Sequence, residues 1–169
     1  MRNQLLITIT LVIFNLALIA QQKDEQVKSP IYNPEANAAD ELSQALEKAR
    51  SENKHVLVQV GGNWCPWCIK VHKFLNENAV LDSIIKADYV FLLVNYSKEN
   101  KNPDIMKKLE YPQRFGFPVF VVLDGNGRRI HTQDSGFLEK DDSYDLKKMK
   151  IFLLTWNKEA LKAENYLNK

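Results

Sequence analysis

Residues 55–68 read HVLVQVGGNWCPWC, and most of the architecture of the chain follows from this run. Residues 55–60 are apolar and β-branched, which is typical of a buried strand. Gly61, Gly62 and Asn63 then indicate a turn. Cys65 and Cys68 follow at once, and apolar side chains continue behind them at helical spacing. The run therefore predicts a strand, a tight turn and a helix with two cysteines at its start.

The flanking segments alternate between the helical and the strand periodicity. Further helices are predicted over residues 38–52, 80–86, 103–110 and 144–167, and further strands over 88–95, 118–123 and 129–132. Residues 124–127 (DGNG) are a hairpin signal between the last two strands. Strands separated by helices imply parallel pairs, and the hairpin adds an antiparallel edge. The predicted fold class is α/β, a three-layer α/β/α sandwich around a central mixed sheet.

The N-terminus has the pattern of an export signal. Arg2 precedes an uncharged run over residues 5–20 (LLITITLVIFNLALIA), which is shorter than the roughly 20 residues that span a bilayer. We therefore predict a signal peptide over residues 1–20 with cleavage near Ala20, a linker over 21–37, and one domain over 38–169. The mature chain is then periplasmic or secreted. The alternative is an uncleaved anchor, and this segment would be its only attachment to a membrane.

Composition excludes several classes of protein. The chain has 169 residues, and its 23 basic and 21 acidic side chains leave a net charge of only +2, which gives no electrostatic reason to expect nucleic acid as a partner. Its two cysteines are too few and too close for a disulfide-stapled scaffold. A single soluble domain, expected as a monomer, fits these numbers.

The two cysteines are the candidate catalytic residues. Near a helix N-terminus, unpaired backbone N–H groups and the helix dipole favour a negative charge, so Cys65 is expected to be the activated thiolate. Pro66 suits the first helical turn because it has no N–H. Cys68 lies one turn later and can form a disulfide with Cys65, so it is expected to be more buried and to react second.

Three alternatives to a redox dithiol remain open. A structural disulfide would close only a very short ring and would stabilise the fold weakly. Half of a zinc site would need further ligands, and the three histidines, His55, His72 and His131, do not have zinc-finger spacing. A CxxC pair without a role is the third. No metal is therefore expected.

Two motifs resemble those of the thioredoxin-like family. Residues 64–70 (WCPWCIK) look like its active-site run, and residues 116–118 (GFP), followed by the hairpin signal, look like its cis-proline segment. The resemblance spans about residues 38–166 and is strongest to the exported branch related to disulfide-interchange proteins. It implies a thioredoxin fold whose only redox group is the Cys65–Cys68 disulfide. It also implies partners that are protein thiols or disulfides, together with a further redox partner.

The resemblance also implies how a partner would bind. A cis Phe117–Pro118 bond would pack against the dithiol and shape a groove for a partner peptide. The alternative is a trans proline that opens an edge strand. The candidate substrate-binding residues are Trp64, Pro66, Trp67, Phe117 and Pro118.

Two positions depart from the family pattern. Many thioredoxins have a buried aspartate where this chain has Gln59, and a glutamine cannot act as a general base, so a proton relay would use water or another group. The uncharged Trp67 between the cysteines argues against a strong oxidant. Trp67 is either an exposed contact for partners or part of local packing. His72 could tune the site, but an ordinary half-buried helix histidine is the simpler interpretation.

Two functions follow from these observations. The first is an exported thiol–disulfide oxidoreductase that reduces or isomerises protein disulfides through Cys65 and Cys68, since disulfides form and need correction in an oxidising compartment. The second is a thioredoxin-like binding or chaperone module with little redox turnover, which the glutamine at position 59 favours slightly.

Overall fold

The structure, a computed structural model, describes residues 30–167. The predicted signal peptide and residues 21–29 of the predicted linker lie outside this range. The helices are α1 (Ala38–Ser51), α2 (Pro66–Glu77), α3 (Ala79–Asp88), α4 (Pro103–Lys108), α5 (Leu146–Thr155) and α6 (Glu164–Leu167). The strands are β1 (His55–Gly61), β2 (Tyr89–Asn95), β3 (Val119–Leu123), β4 (Arg129–Asp134), β5 (Glu139–Lys140) and β6 (Ser143–Tyr144). Within the described range, no helix is both long and apolar enough to cross a membrane.

The main sheet has the strand order β2–β1–β3–β4. Strand β1 runs parallel to β2, with His55 beside Tyr89 at one end and Gly61 beside Asn95 at the other. Strand β3 is antiparallel to both β1 and β4. Strands β5 and β6 form a separate small hairpin. The sheet is therefore mixed, as predicted, and β1 lies in its interior.

The antiparallel pairing of β1 with β3 corrects one expectation. Because a helix separates β2 from β3, the sequence predicted that β3 would run parallel to β1 and β2. A parallel β3 would require the connection to return along the full length of β2, about 23 Å for seven residues. Helix α4 has six residues and rises only about 9 Å. A 3₁₀ turn at Pro112–Phe115 follows it, and the chain enters β3 from the end at which β2 finished.

Each face of the sheet carries its own apolar core. Along β1, Val56, Val58 and Val60 face α1 and α4, whereas Leu57 faces α2, α3 and α5. This alternation is the period of two that a strand imposes on its side chains. Both sides of β1 are covered, so all seven of its residues are buried. The result is the three-layer α/β/α sandwich with a central mixed sheet that the sequence predicts.

The C-terminal helix is shorter than its periodicity indicates. Tyr144 belongs to β6, Asp145 caps the N-terminus of α5, and the helix ends at Thr155 instead of continuing to residue 167. Trp156 leaves the helical path because its ring stacks on His131, with 4.1 Å between the ring centroids. Its carbonyl also accepts a hydrogen bond from His55 Nδ1 at 3.1 Å. Tertiary contacts therefore override the local pattern at this point.

Asn78 separates α2 from α3. This residue ends α2 in an extended conformation, and its side chain accepts hydrogen bonds from the backbone amides of Val80 and Leu81 at the start of α3. Asparagine is among the preferred residues at such a cap because its side chain satisfies amides that have no partner within the helix.

Replacing this cap is expected to destabilise the domain. Asn78→Ala should lower the free energy of unfolding by about 1 kcal/mol, because two helix amides lose their acceptor. Asn78→Asp keeps an acceptor and should lose much less. Urea denaturation followed by circular dichroism measures both variants, and equal losses would contradict the capping role.

Candidate active site

Cys65 is the cap residue at the N-terminus of α2. Its backbone is extended, and its sulfur accepts a hydrogen bond from the Cys68 backbone N–H at 3.1 Å. Pro66 occupies the first helical position, where a missing N–H costs nothing. The first turn contains no acidic side chain. A thiolate on Cys65 would therefore be stabilised by an amide and by the helix dipole, without an opposing carboxylate on that turn.

The two sulfurs are joined in a disulfide, and the Cα atoms of Cys65 and Cys68 are 5.2 Å apart. Cys65 is 4% exposed, whereas Cys68 is completely buried. An attacking group from solvent can therefore reach Cys65 more readily than Cys68. This greater burial of Cys68 is expected from the sequence.

The Phe117–Pro118 peptide bond is cis, as the family resemblance implies. Pro118 is buried immediately before β3, and Phe117 packs against the cluster that contains both cysteines. The ring of Phe117 lies 4.9 Å from that of Tyr96 and meets the Trp64 ring edge to face at 5.5 Å. The segment that the resemblance places beside the dithiol is thus brought there by the fold.

Trp64 is the exposed aromatic residue of the site. It is 56% exposed, and its indole N–H donates to the Tyr96 carbonyl at 2.7 Å, which holds the ring in place. Beside it lies a cleft of about 420 Å³ whose lining is predominantly apolar. The residues that line the cleft are Trp64, Tyr96, Ser97, Lys98, Glu99 and Lys101.

The Trp67 ring is packed against its neighbours in the structure. Its ring is half-buried and meets the Tyr144 ring edge to face at 5.5 Å. The Lys70 ammonium lies 4.3 Å from the centre of the Trp67 ring, in cation–π geometry. Pro66 is exposed beside it. Trp64 is therefore more exposed to a partner than Trp67.

Gln59 occupies the interior of the sheet beneath the dithiol and is completely buried. Its side-chain amide donates to the Cys68 carbonyl at 3.2 Å and to the Tyr32 hydroxyl at 2.5 Å. The Gln59 Oε1 atom has no hydrogen-bond partner among the described residues. The glutamine thus links α2 to a residue that the sequence did not identify as part of the site.

Tyr32 is that residue. It lies in the stretch assigned to a linker, yet it is only 1% exposed and belongs to one buried cluster with Cys65 and Cys68. The Asn63 side chain accepts from the Tyr32 backbone N–H at 3.0 Å and donates to its carbonyl at 2.7 Å. Residues 31 and 32 form the only adjacent pair of large apolar side chains in residues 21–37, which was the available signal.

The histidines are not gathered at the dithiol. His72 is half-buried and stacks on Phe91, and burial lowers its pKa. His55 and His131 both contact Trp156 instead. Within residues 30–167, no group of three or more histidine, cysteine or acidic side chains is arranged to hold a metal ion.

Comparison with known proteins identifies the family. The model of a thioredoxin-like domain matches residues 42–148. The chain belongs to the thioredoxin-like family. Cys65 and Cys68 supply the CxxC motif within the matched range, whereas Tyr32 lies before it.

Individual relatives are distant. The chain is similar to a protein named disulfide bond reductase DsbH from Chlamydia pneumoniae, with 24% identity over 98 residues. That match covers 54% of this chain and 58% of the relative, so less than two thirds of the relative is represented. A disulphide isomerase structure from Xylella fastidiosa Temecula1 superposes with a TM-score of 0.66 and 22% identity, over 74% of this chain and 95% of the other. This likeness supports the thioredoxin fold.

The space around Cys68 leaves no room for a side chain at position 61. A Cβ built on Gly61 would lie 2.5 Å from Cys68 Sγ and 2.7 Å from the Tyr32 hydroxyl oxygen. We expect Gly61→Ala to lower the free energy of unfolding by about 1–3 kcal/mol, the usual cost of overpacking a core.

Gly125→Ala is the matched control, because its added Cβ would lie 3.1 Å from the Cγ atom of the exposed Arg50 and no closer than 3.8 Å to any backbone atom of that residue. Urea denaturation of both variants provides the comparison. A loss at Gly61 no greater than that at Gly125 would show that the space beside Cys68 is not tightly filled.

Proposed function

We propose that the chain is an exported thiol–disulfide oxidoreductase that reduces or isomerises protein disulfides through Cys65 and Cys68. The observation that carries this proposal is the position of Cys65, whose sulfur caps α2 and accepts the Cys68 amide. The arrangement stabilises a sulfur anion at the less buried of the two cysteines. A thiolate in that position is the species that attacks a disulfide.

In the reducing direction, the Cys65 thiolate attacks one sulfur of a partner disulfide. A mixed disulfide forms, and the partner's other sulfur leaves as a thiolate and takes a proton from solvent. The Cys68 thiolate then attacks Cys65 Sγ, so the Cys65–Cys68 bond forms and the partner's second sulfur is released. Two electrons pass from the dithiol to the partner. An external dithiol must afterwards reduce the chain again.

Partner binding is proposed to use the exposed aromatic edge of the site. Trp64 and Phe117 form a continuous apolar surface beside Cys65, and the Pro118 segment flanks it. Pro66 adds exposed apolar surface at the helix start. Trp67 is proposed to support the first turn of α2 instead of contacting the partner, since Tyr144 and Lys70 cover its ring.

The proposed compartment is the periplasm or the exterior of the cell, reached through the signal peptide predicted over residues 1–20. Protein disulfides form in such compartments, which gives a reductase or isomerase its substrates. The name of the Chlamydia pneumoniae relative, a disulfide bond reductase, favours the reducing direction. The proposed partners are therefore exported protein disulfides and an electron-donating dithiol.

A binding module with little turnover is the second candidate. Gln59 favours it, because the buried position beneath Cys68 has an amide instead of an acid that could move a proton. The near-complete burial of both cysteines also slows exchange unless a partner opens access. The two candidates differ in whether the dithiol is turned over many times.

Insulin reduction separates these candidates. With dithiothreitol as the electron donor, the chain should accelerate the precipitation of insulin chains, and Cys65→Ser should abolish the acceleration, because the attacking thiolate is lost. Lys73→Ser, on the exposed face of α2, is a control that should retain activity. Acceleration no greater than with dithiothreitol alone would favour the binding module.

Cys68→Ser should instead trap the intermediate. Without the resolving thiolate, the mixed disulfide between Cys65 and the partner cannot be released by the chain itself. We expect a covalent adduct on non-reducing gels after incubation with oxidised insulin, absent from Cys65→Ser and dispersed by dithiothreitol. Equal adduct in both variants would contradict the assignment of Cys65 as the attacking residue.

A further inference from the structure

The second step of the proposed cycle presents a problem at Cys68. Its sulfur must become a thiolate in order to attack Cys65, yet it is completely buried, and burial in apolar surroundings disfavours the charged form. Gln59, the polar side chain beneath it, is neutral at every pH and donates to the Cys68 carbonyl instead of its sulfur. Another group is needed to stabilise the sulfur anion.

The Tyr32 hydroxyl lies beside the sulfur. A Cβ placed on Gly61 would be 2.5 Å from Cys68 Sγ and 2.7 Å from the Tyr32 hydroxyl oxygen, so both atoms border the same small space above the Gly61 backbone. Tyr32 and Cys68 also belong to the same buried cluster. Because Gly61 has no side chain, the hydroxyl and the sulfur can both lie at this space.

The hydrogen bonds of the hydroxyl leave its own proton free. Gln59 Nε2 donates to the hydroxyl oxygen at 2.5 Å, so this oxygen acts as an acceptor towards Gln59. The orientation of the Gln59 amide is fixed by its second bond, because the Cys68 carbonyl can only accept. Among the hydrogen bonds of residues 30–167, the Tyr32 hydroxyl proton has no acceptor in the oxidised state, the disulfide sulfur of Cys68 included, so this proton is available to the Cys68 thiolate once the disulfide is reduced.

The position of Tyr32 is held from its backbone. The Asn63 side chain makes two hydrogen bonds to the Tyr32 main chain, at 2.7 and 3.0 Å, from the turn that leads into the dithiol. Asn100 donates to the Pro34 carbonyl at 2.9 Å and ties down the same segment two residues later. The phenol is therefore fixed relative to the cysteines, which lowers the entropic cost of a hydrogen bond to sulfur.

We propose that the Tyr32 hydroxyl donates a hydrogen bond to the Cys68 sulfur and stabilises the thiolate that resolves the mixed disulfide. This role rests on the proposed function. In the step, the Cys68–Cys65 bond forms, the Cys65–partner bond breaks, and the electron pair leaves on the partner's sulfur, which takes a proton from solvent. Tyr32 keeps its own proton throughout, so it is a positioning residue and not an acid or a base.

The Tyr32 hydroxyl keeps its proton and can therefore donate a hydrogen bond at every pH of interest. Burial raises its pKa far above the usual value for a tyrosine, the hydrogen bond from Gln59 opposes this, and nearby Tyr144 raises it further. No carboxylate and no lysine, arginine or histidine side chain is among these influences. The other titratable groups that face the cluster are Cys65 itself and Tyr144, whose hydroxyl is directed to the Trp67 carbonyl at 3.4 Å. The phenol therefore stays protonated across the working pH range.

The first test measures the Cys68 thiol directly. The chain has only two cysteines, so Cys65→Ser leaves Cys68 as its single thiol. The full chain carrying Cys65→Ser, with and without Tyr32→Phe, is titrated by thiolate absorbance at 240 nm and by the pH dependence of alkylation. Loss of a charge-assisted hydrogen bond should raise the Cys68 pKa by about one pH unit, a tenfold loss of thiolate at lower pH.

Two controls show whether the effect is local. Tyr89→Phe also removes a buried hydroxyl, one that donates to the Leu153 carbonyl at 2.6 Å, and it should leave the Cys68 pKa unchanged. Tyr32→Phe in a Cys68→Ser background should leave the Cys65 pKa nearly unchanged, since Cys65 is stabilised by the Cys68 amide. An unchanged Cys68 pKa in the Tyr32→Phe variant, or an equal shift with Tyr89→Phe, overturns the proposal.

The second test uses the rate of the resolving step. With both cysteines present, the mixed disulfide with glutathione is formed and its decay is followed by rapid quenching at several pH values. At pH 7, Tyr32→Phe should slow the decay about threefold, because a tenfold loss of thiolate is partly offset by a stronger nucleophile. At a pH above the Cys68 pKa of both proteins, the decay in the Tyr32→Phe variant should be about threefold faster than in the unsubstituted chain. If Tyr32 had only a structural role, Tyr32→Phe would slow the decay at every pH, and the rate–pH profiles of the two proteins would not cross.

The two tests separate this proposal from the proposed function. The titration needs no turnover, so a shifted Cys68 pKa in a chain that fails to reduce insulin would retain the role of Tyr32 and reject the enzyme. Insulin reduction together with an unshifted Cys68 pKa would retain the enzyme and reject the role of Tyr32.

Discussion

The hydrogen bond from the Cys68 amide to the Cys65 sulfur is the constraint on which the rest of the site depends. It requires Cys65 to cap α2, and therefore requires β1 to deliver the chain to the helix N-terminus through a short turn. Gly61 and Gly62 make that turn possible, because side chains there would overlap Cys68 and Trp64. The arrangement of β1, the turn and α2 thus places the Cys65 sulfur at the positive end of the helix dipole.

The side chain beneath the dithiol, Gln59, is polar but uncharged, and this has one favourable and one unfavourable consequence for the fold and the site. A buried carboxylate is expensive to desolvate unless it is paired, so Gln59 spares the fold that penalty and also makes two hydrogen bonds. The cost is a Gln59 Oε1 atom without a hydrogen-bond partner among residues 30–167, which destabilises the fold by about 1–3 kcal/mol, together with the loss of an acid near Cys68 that could move a proton. A neutral donor can still assist a thiol by stabilising its anion, since hydrogen bonding to the charged form lowers a pKa.

The strand–turn–helix unit was predictable because its signals are local: a β-branched run, two glycines, and apolar residues at helical spacing. The resemblance to a family supplied the cis Phe117–Pro118 bond, which no periodicity reveals. Three features depended on distant contacts and were missed. Strand β3 is antiparallel because α4 is too short to return along β2. Helix α5 ends early because Trp156 stacks on His131. Tyr32 is buried beside the cysteines, with its backbone held by Asn63, although most of the segment around it is polar.

Tyr32 also bears on where the functional unit begins. The family match starts at residue 42 and the predicted domain at residue 38, so both boundaries exclude it. Yet the segment before α1 is joined to the dithiol turn through Asn63 and to the connection between β2 and α4 through Asn100. A domain boundary predicted from sequence periodicity includes only the residues that form helices and strands. The environment of a buried sulfur, by contrast, includes any residue that packs against it, whether or not that residue is in a helix or strand. In this chain the two criteria differ by at least six residues, because one of the two groups that fill the space beside Gly61, the Tyr32 hydroxyl, comes from the segment assigned to a linker.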